Sequence, residues 1–241
     1  MERQVIIMAR LKRLVTPKFW RISKKATKWA VSPRPGPHKK MHSIPLQVVL
    51  RDILHLVETG KEAQTALKQR QVLVDGRVVK DHAFPLGLMD VLAMPKIKKF
   101  YRTIVDKDGL RLLEIEEKEA NKKLCRINNK TTIARGKFQL NLHDGRNIIV
   151  EKSGEYKTGD SVLIEVPQQK IVEHIPLEKE SMILVFEGKS IGELGKVKEL
   201  VVTKSKEPNK IVFESEGKES ETIVDHVMVV GKTKPVISLT S

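Results

Sequence analysis

Cysteine is nearly absent from this chain. Cys125 is the single one in 241 residues, so no disulfide can form within the chain and no cysteine-based zinc cluster can assemble. Such usage fits a reducing compartment, the cytoplasm. Aromatic residues are scarce at 4%, so a core must be built from Val, Ile and Leu, which suits several small modules better than one large one. Long apolar runs are missing too. The longest early stretch, Val5-Ile6-Ile7-Met8-Ala9, is too short for the apolar part of a secretion signal and far too short to span a bilayer. Secretion and a membrane location are therefore not expected, and Asn129-Lys130-Thr131 matches the glycosylation pattern without the secretory context it needs.

Catalytic signatures are equally thin. There is no G-x-S-x-G, no H-E-x-x-H and no glycine-rich dinucleotide loop. Gly188-Lys189-Ser190 fails as a phosphate loop because Ile183 stands where glycine is required. Among the histidines, His38 and His42 are four apart, but their basic, proline-rich surroundings oppose a cation. Glu114, Glu116, Glu117 and Glu119 follow one another with lysines close by and read as a solvated face, not an acid–base pair. Cys125 reads as a small core residue. No catalytic residue, metal, cofactor or small-molecule substrate is expected.

What the chain does have is positive charge, unevenly placed. The formal net charge is +15, and residues 1–42 alone carry +11, against +3 for residues 43–100, +2 for 101–175 and −1 for 176–241. Four of the eleven prolines fall between Pro17 and Pro37, which excludes a long helix there. A segment so charged repels itself and loses hydration on burial, so it is expected to be an extended arm, disordered until it meets a polyanion. A membrane would favour an amphipathic helix, and DNA a helix or ribbon shaped to a groove. Structured RNA suits an irregular basic arm with interleaved aromatics, and both tryptophans, Trp20 and Trp29, lie in this arm.

Beyond the arm, Ser43-Ile44-Pro45 reads as the start of a helix with Leu46, Val49, Leu50, Ile53, Leu54 and Val57 on one face, stopped by Thr59-Gly60. A second helix is expected from Lys61 to Gln69. Asp75-Gly76 between β-rich runs marks a hairpin, and Met89 to Leu92 a further strand. Helix, helix, hairpin and Pro85-Leu86-Gly87-Leu88-Met89-Asp90-Val91 resemble the S-four-type RNA-binding domain, the α-L motif. By that resemblance Lys68, Arg70 and Arg77 are phosphate-contact candidates, while Asp75 and Gly76 serve the turn.

Residues 112–124 read as a strand and a short helix. Strands at 138–142, 148–150 and 161–166, separated by turns at 143–146 and 157–160, have the spacing of a small β-barrel. Residues 182–197 read as strand, loop, strand, and resemble the KOW motif with Gly195 as its fixed glycine, needed for backbone freedom in the turn. Glu193 stands where that motif usually has a basic residue, which weakens the case for an RNA contact there.

The order of parts resembles the archaeal and eukaryotic-type ribosomal protein S-four-e family of the small subunit. The residues that carry the resemblance are Gly36-Pro37-His38-Lys39, Pro85 to Val91, Lys123-Leu124-Cys125 and Lys234-Pro235-Val236-Ile237-Ser238-Leu239, with Val236 replacing a usual tryptophan. The resemblance implies an α+β, multi-module chain: a basic extended N-terminal arm over 1–42, a small helix-helix-hairpin RNA-binding module over 43–100, a β-rich central domain over 101–175 and a small SH3-like β-barrel with the KOW motif over 176–241. It implies a non-catalytic protein of the cytoplasmic ribosome that binds small-subunit ribosomal RNA beside neighbouring ribosomal proteins and supports assembly. The candidate RNA contacts in the arm are Arg10, Lys12, Arg13, Lys18, Arg21, Lys24, Lys25, Lys28, Arg34, Lys39 and Lys40, together with His38 and with Trp20, which either stacks on a base or anchors the arm on protein. Two competing readings are an RNA-modifying enzyme, for which Leu110-Arg111-Leu112-Leu113-Glu114 lacks the aspartate such an enzyme needs, and a transcription-elongation factor, which would leave the arm and the module unexplained.

Overall fold

The computed structural model describes residues 11–151, 154–203, 207–215 and 217–239. Among them no helix is long and apolar enough to cross a membrane.

Residues 11–42 of the arm are folded onto the rest of the chain, which corrects the expectation of an extended, disordered segment there. Strand β1 (Leu11–Lys12) pairs antiparallel with β2 (Trp29–Ala30). Between them Trp20, only 1% exposed, joins Ile22 and Ala30 in the same hydrophobic core as the following module, and its indole N–H donates to the Ser43 carbonyl at 3.1 Å. Net charge was a poor guide because the segment carries its own apolar anchors.

The module starts at β3 (Ile44–Pro45), which pairs with β6 (Pro85–Leu86). The expected long helix is short: α1 (Leu46–Val48) runs straight into a π-helical turn, Val49–Ile53. Thr59-Gly60 begins the second helix instead of ending the first. The Thr59 hydroxyl accepts from the Glu62 N–H at 3.2 Å, and the Glu62 carboxylate reaches back to the Thr59 N–H, a capping box that opens α2 (Gly60–Lys68). Strands β4 (Leu73–Val74) and β5 (Arg77–Val78) form the expected hairpin, with φ of 50° at Asp75 and 73° at Gly76, the left-handed pair of a type I′ turn. Then β7 (Val91–Met94), β8 (Lys99–Asp106) and β9 (Gly109–Glu114) complete a five-stranded sheet ordered β5-β4-β7-β8-β9, which runs on past residue 100.

Helix α3 (Glu117–Ala120) leads into β10 (Lys122–Thr132), the longest strand. Its first half pairs with β13 (Ser161–Glu165) and its second with β11 (Phe138–Leu142). Edge strands β12 (Asn147–Val150) and β14 (Lys170–Ile175) complete the order β12-β11-β10-β13-β14 around Cys125, Ile127, Leu140, Val162 and Ile164. The last sheet, ordered β18-β17-β16-β15-β19, comprises β15 (Met182–Val185), β16 (Leu194–Val201), β17 (Lys210–Ser215), β18 (Lys218–Ile223) and β19 (Val227–Gly231).

The strand–loop–strand expected at 182–197 is therefore present, but Gly195 has a different task from the one the sequence suggested. It lies within β16, opposite Ile183, and a Cβ there would sit 2.6 Å from Phe213 Cδ2 and 2.7 Å from the Glu214 carbonyl oxygen. Glycine is required by the close approach of a neighbouring strand, not by a turn. Gly195→Ala should accordingly lose about 1–3 kcal/mol of stability by overpacking, read as a lowered urea midpoint with an unchanged m-value.

Candidate nucleic-acid interface

The surface candidates divide by burial. Lys12, Lys18, Arg21, Lys25, Lys28, Arg34 and Lys39 are exposed on the folded arm, and Lys68, Arg70 and Arg77 on the module; Lys40 is half-buried. Arg21 approaches Asp106 at 3.4 Å and Asp108 at 3.6 Å, and Arg34 approaches Asp81 at 3.2 Å. Such exposed pairs are weak and open readily to a competing phosphate. Lys24 is half-buried and donates to the Thr16 hydroxyl at 2.7 Å; burial, then Arg13 and Lys18, lower its ammonium pKa. Trp29, 42% exposed, lies beneath the Lys28 ammonium, 5.6 Å from the ring centre. Arg10 lies outside the described residues.

Arg13 and His38 are corrected, because each is spent on protein, and of the two readings of Trp20 the anchor on protein is the one that its burial supports. Arg13 is 1% exposed, and its guanidinium donates to Asp52 at 2.8 Å, to the Thr27 hydroxyl and to the Ser23 carbonyl. Trp20 anchors the arm as described. The His38 side chain is buried with Nε2 2.9 Å from Asp90 Oδ1. Its path explains two signature stretches. A Cβ at Gly87 would collide with the His38 ring, and one at Gly36 would lie 2.6 Å from Pro85 Cγ, so the two glycines let the arm cross the module closely enough for His38 to reach Asp90.

Asp90 belongs to a buried cluster that sequence reasoning missed. The Lys123 ammonium, fully buried at the start of β10, donates to Asp75 at 2.7 Å and Asp90 at 2.6 Å and lies 2.9 Å from Asp144. Arg146 adds contacts to Asp75 at 2.6 Å and Asp144 at 3.1 Å. The Val91 N–H donates to Asp75 and the Gly87 N–H to Asp90, each at 2.9 Å. Burial alone would lower the Lys123 pKa, but Asp90, Asp75 and Asp144 outweigh it and hold the ammonium charged. Burial would likewise raise Asp90 and Asp144; Lys123 overcomes it at both, bringing Asp144 down to about 2 and Asp90 lower still. Three acids face two fixed cations, and at Asp75 burial prevails, so its carboxyl sits above the usual range.

Cys125, His143 and Asp144 offer ligand atoms within 4.8 Å of one another, yet all are committed internally. Asp144 serves Lys123 and Arg146, while His143 accepts from the Arg126 N–H at 3.3 Å and donates to the Leu88 carbonyl at 3.2 Å. Burial, then Asp144, push the Cys125 thiol pKa well up, consistent with the core residue expected. Asp75 was legible as a turn residue; its second role, like those of Asp90, Lys123, Asp144 and Arg146, left no local signal.

Lys123→Met removes the central cation from three buried acids and should cost about 3–5 kcal/mol in chemical denaturation. Burial also pushes His143 down to about 4 from 6.5. Between these values the unfolded chain binds the extra proton, so stability is full above pH 6.5 and falls as pH drops toward 4. The loss should be on the order of 2 kcal/mol, partly screened because the residue keeps some solvent contact. Urea midpoints at pH 7 and 4.5 should therefore differ more for the wild type than for His143→Gln.

Three family models match successive parts of the chain. Residues 9–41 match the RS4NT (NUC023) domain, residues 44–92 the S4 domain and residues 97–171 the ribosomal family S4e. The small ribosomal subunit protein eS4 of Methanothermobacter thermautotrophicus is 45% identical over 231 residues, covering 95% of each chain. That of Archaeoglobus fulgidus is 44% identical over 95% of this chain and 97% of its own. The crystal structure of the 30S ribosomal protein S4e from Thermoplasma acidophilum superposes with a TM-score of 0.68 at 26% identity, covering 80% of this chain and 96% of that one. The chain belongs to the ribosomal family S4e.

Proposed function

We infer that this chain is a structural component of the small ribosomal subunit that binds and stabilises ribosomal RNA, beside neighbouring ribosomal proteins, during assembly and translation. Its work is positioning, not catalysis, and it is carried out in the cytoplasm. The observation that carries this reading is the arm's set of exposed cations, Lys12, Lys18, Lys25, Lys28 and Lys39, on a backbone fixed by the buried Arg13–Asp52 pair and Trp20. Phosphates that pair with these cations release condensed counterions, and a rigid backbone lets those contacts define one register. Because the arm is already ordered, less conformational entropy is lost when it binds. Lys68, Arg70 and Arg77 extend the same charge onto the module, which supports a footprint that includes both. Strands β15 and β16 with their glycine-containing loop support a KOW reading of the last sheet, and Glu193 in that loop favours a protein neighbour over RNA there.

Sucrose-gradient sedimentation of native lysate tests the reading. The protein should travel with the small subunit and resist release as salt rises; recovery only at the top of the gradient overturns it. For the purified protein with small-subunit rRNA, Lys25→Ala combined with Lys28→Ala should reduce the slope of log affinity against log salt by about 2, one unit per lost phosphate contact, in filter-binding titrations.

A further inference from the structure

The module's sheet has one basic end, and the strand register defines it. Val79, just after β5, donates its N–H to the Val72 carbonyl at 3.4 Å, Leu73 of β4 lies opposite Ala93 of β7, and Met94 of β7 lies opposite Lys99 of β8. The exit from β5, the entry to β4 and the β7–β8 turn therefore share one end of the sheet, with neighbouring strands about 4.8 Å apart. Lys80 follows Val79, Lys68 and Arg70 lead from α2 into β4, and Lys96, Lys98 and Lys99 come from the β7–β8 turn. All six are exposed, and among the described residues none meets a carboxylate. The acids nearest by register are placed otherwise. Asp81, next to Lys80, pairs with Arg34 at 3.2 Å, and Glu114 and Glu116 lie beyond β8, on and after β9. Lysines on the last sheet behave differently: Lys198 pairs with Glu214 and Glu219, and Lys210 with Glu221. Arg77 stands opposite Val74, at the other end of the module's sheet.

Two of the six cations hold a backbone conformation that glycine suits better. Arg70 has a φ of 57° just past α2, and Lys98 one of 52° where it closes the 3-10 turn Pro95–Ile97. A charged side chain kept at both positions points to a use for it. Three lysines within four positions also repel one another until an anion arrives. A group of cations this dense, with no acid among it, suits a partner of continuous negative charge, as a phosphate backbone is. Ile97, 50% exposed between Lys96 and Lys98, adds apolar surface that a ribose can cover. We propose that the β7–β8 turn is an RNA-contact site, where Lys96, Lys98 and Lys99 grip the same stretch of phosphate backbone as Lys68, Arg70 and Lys80. The proposal rests on the rRNA-binding reading above. It adds a site outside the arm and past residue 92, where the match to the S4 domain ends, and it assigns Arg77 to a different stretch of RNA.

The test uses the full-length protein with deproteinised small-subunit rRNA. Filter-binding titrations give the slope of log affinity against log salt, and hydroxyl-radical cleavage maps the protected nucleotides. One variant combines Lys96→Gln, Lys98→Gln and Lys99→Gln. A control removes the same charge from exposed positions of the other two large sheets, with Lys170→Gln, Lys196→Gln and Lys218→Gln. The turn variant should lower the slope by about 2–3, roughly one unit per lost phosphate contact, while the control keeps the wild-type slope. Arginine at the same three turn positions should restore that slope. Should circular dichroism show the triple variant unfolded, Lys96→Gln with Lys99→Gln spares the left-handed position and should lower the slope by about 2. The nucleotides that the turn variant leaves unprotected should be those that Lys68→Gln with Arg70→Gln also leaves unprotected, and not those lost in Arg77→Gln. An unchanged slope and footprint in the turn variant overturns the site. An equal loss of slope in variant and control reduces the effect to net charge and overturns it as well. Both outcomes leave the rRNA-binding reading intact, whereas wild-type protein that fails to retain rRNA overturns both.

Discussion

One buried ammonium group holds this molecule together. Lys123 meets Asp75 from the β4–β5 turn, Asp90 from the approach to β7 and Asp144 from the turn after β11, so a single charge ties the module to the central sheet. His38 on Asp90 then ties the arm to the same point. Desolvating so many charges is favourable only when nearly every lone pair and proton finds a partner, which fixes the geometry within narrow limits. The relative placement of arm, module and central sheet follows from that requirement.

The arm illustrates how local composition can mislead. Its +11 charge argues against burial, yet only Arg13, Trp20 and the His38 side chain among the expected contacts need to be buried for the segment to dock. Asp52 supplies the countercharge from the π-helical turn, and Lys12, Lys18, Arg21, Lys25, Lys28, Arg34 and Lys39 stay in water, where self-repulsion is screened. The result is a charged surface whose shape is set by a few neutralised or apolar anchors.

Local chemistry was legible in the sequence wherever it was local. The Asp75-Gly76 turn, the strands at 138–142 and 161–165 and the short helix after Glu116 all rest on neighbours within a few positions. The Thr59-to-Glu62 capping box is equally local, but Thr-Gly after an apolar run carries the signal of a helix end as well as of a helix start, and here Gly60 stands in the first turn of α2. The Lys123 cluster was not legible, since Asp75 lies 48 positions from Lys123 and 71 from Arg146. Gly195 was identified as a required glycine for the wrong reason, because its obstacle, Phe213, comes from another strand. The interface was legible in charge and illegible in burial: a sequence does not separate an arginine that greets RNA from one that greets Asp52.

The Arg13–Asp52 pair has a thermodynamic consequence. Asp52 sits on a short turn of irregular helix, a poor structure to maintain by itself; its neighbour Arg51 pairs with Oδ2, and Arg13 satisfies Oδ1 only while the arm is docked. Any polyanion that binds the docked arm and not the released one therefore stabilises that turn as well, by mass action. Linkage runs both ways, so a chain whose turn is distorted binds RNA less tightly even though no contact residue has changed. Affinity for RNA thus becomes an indirect report on whether the module has folded correctly.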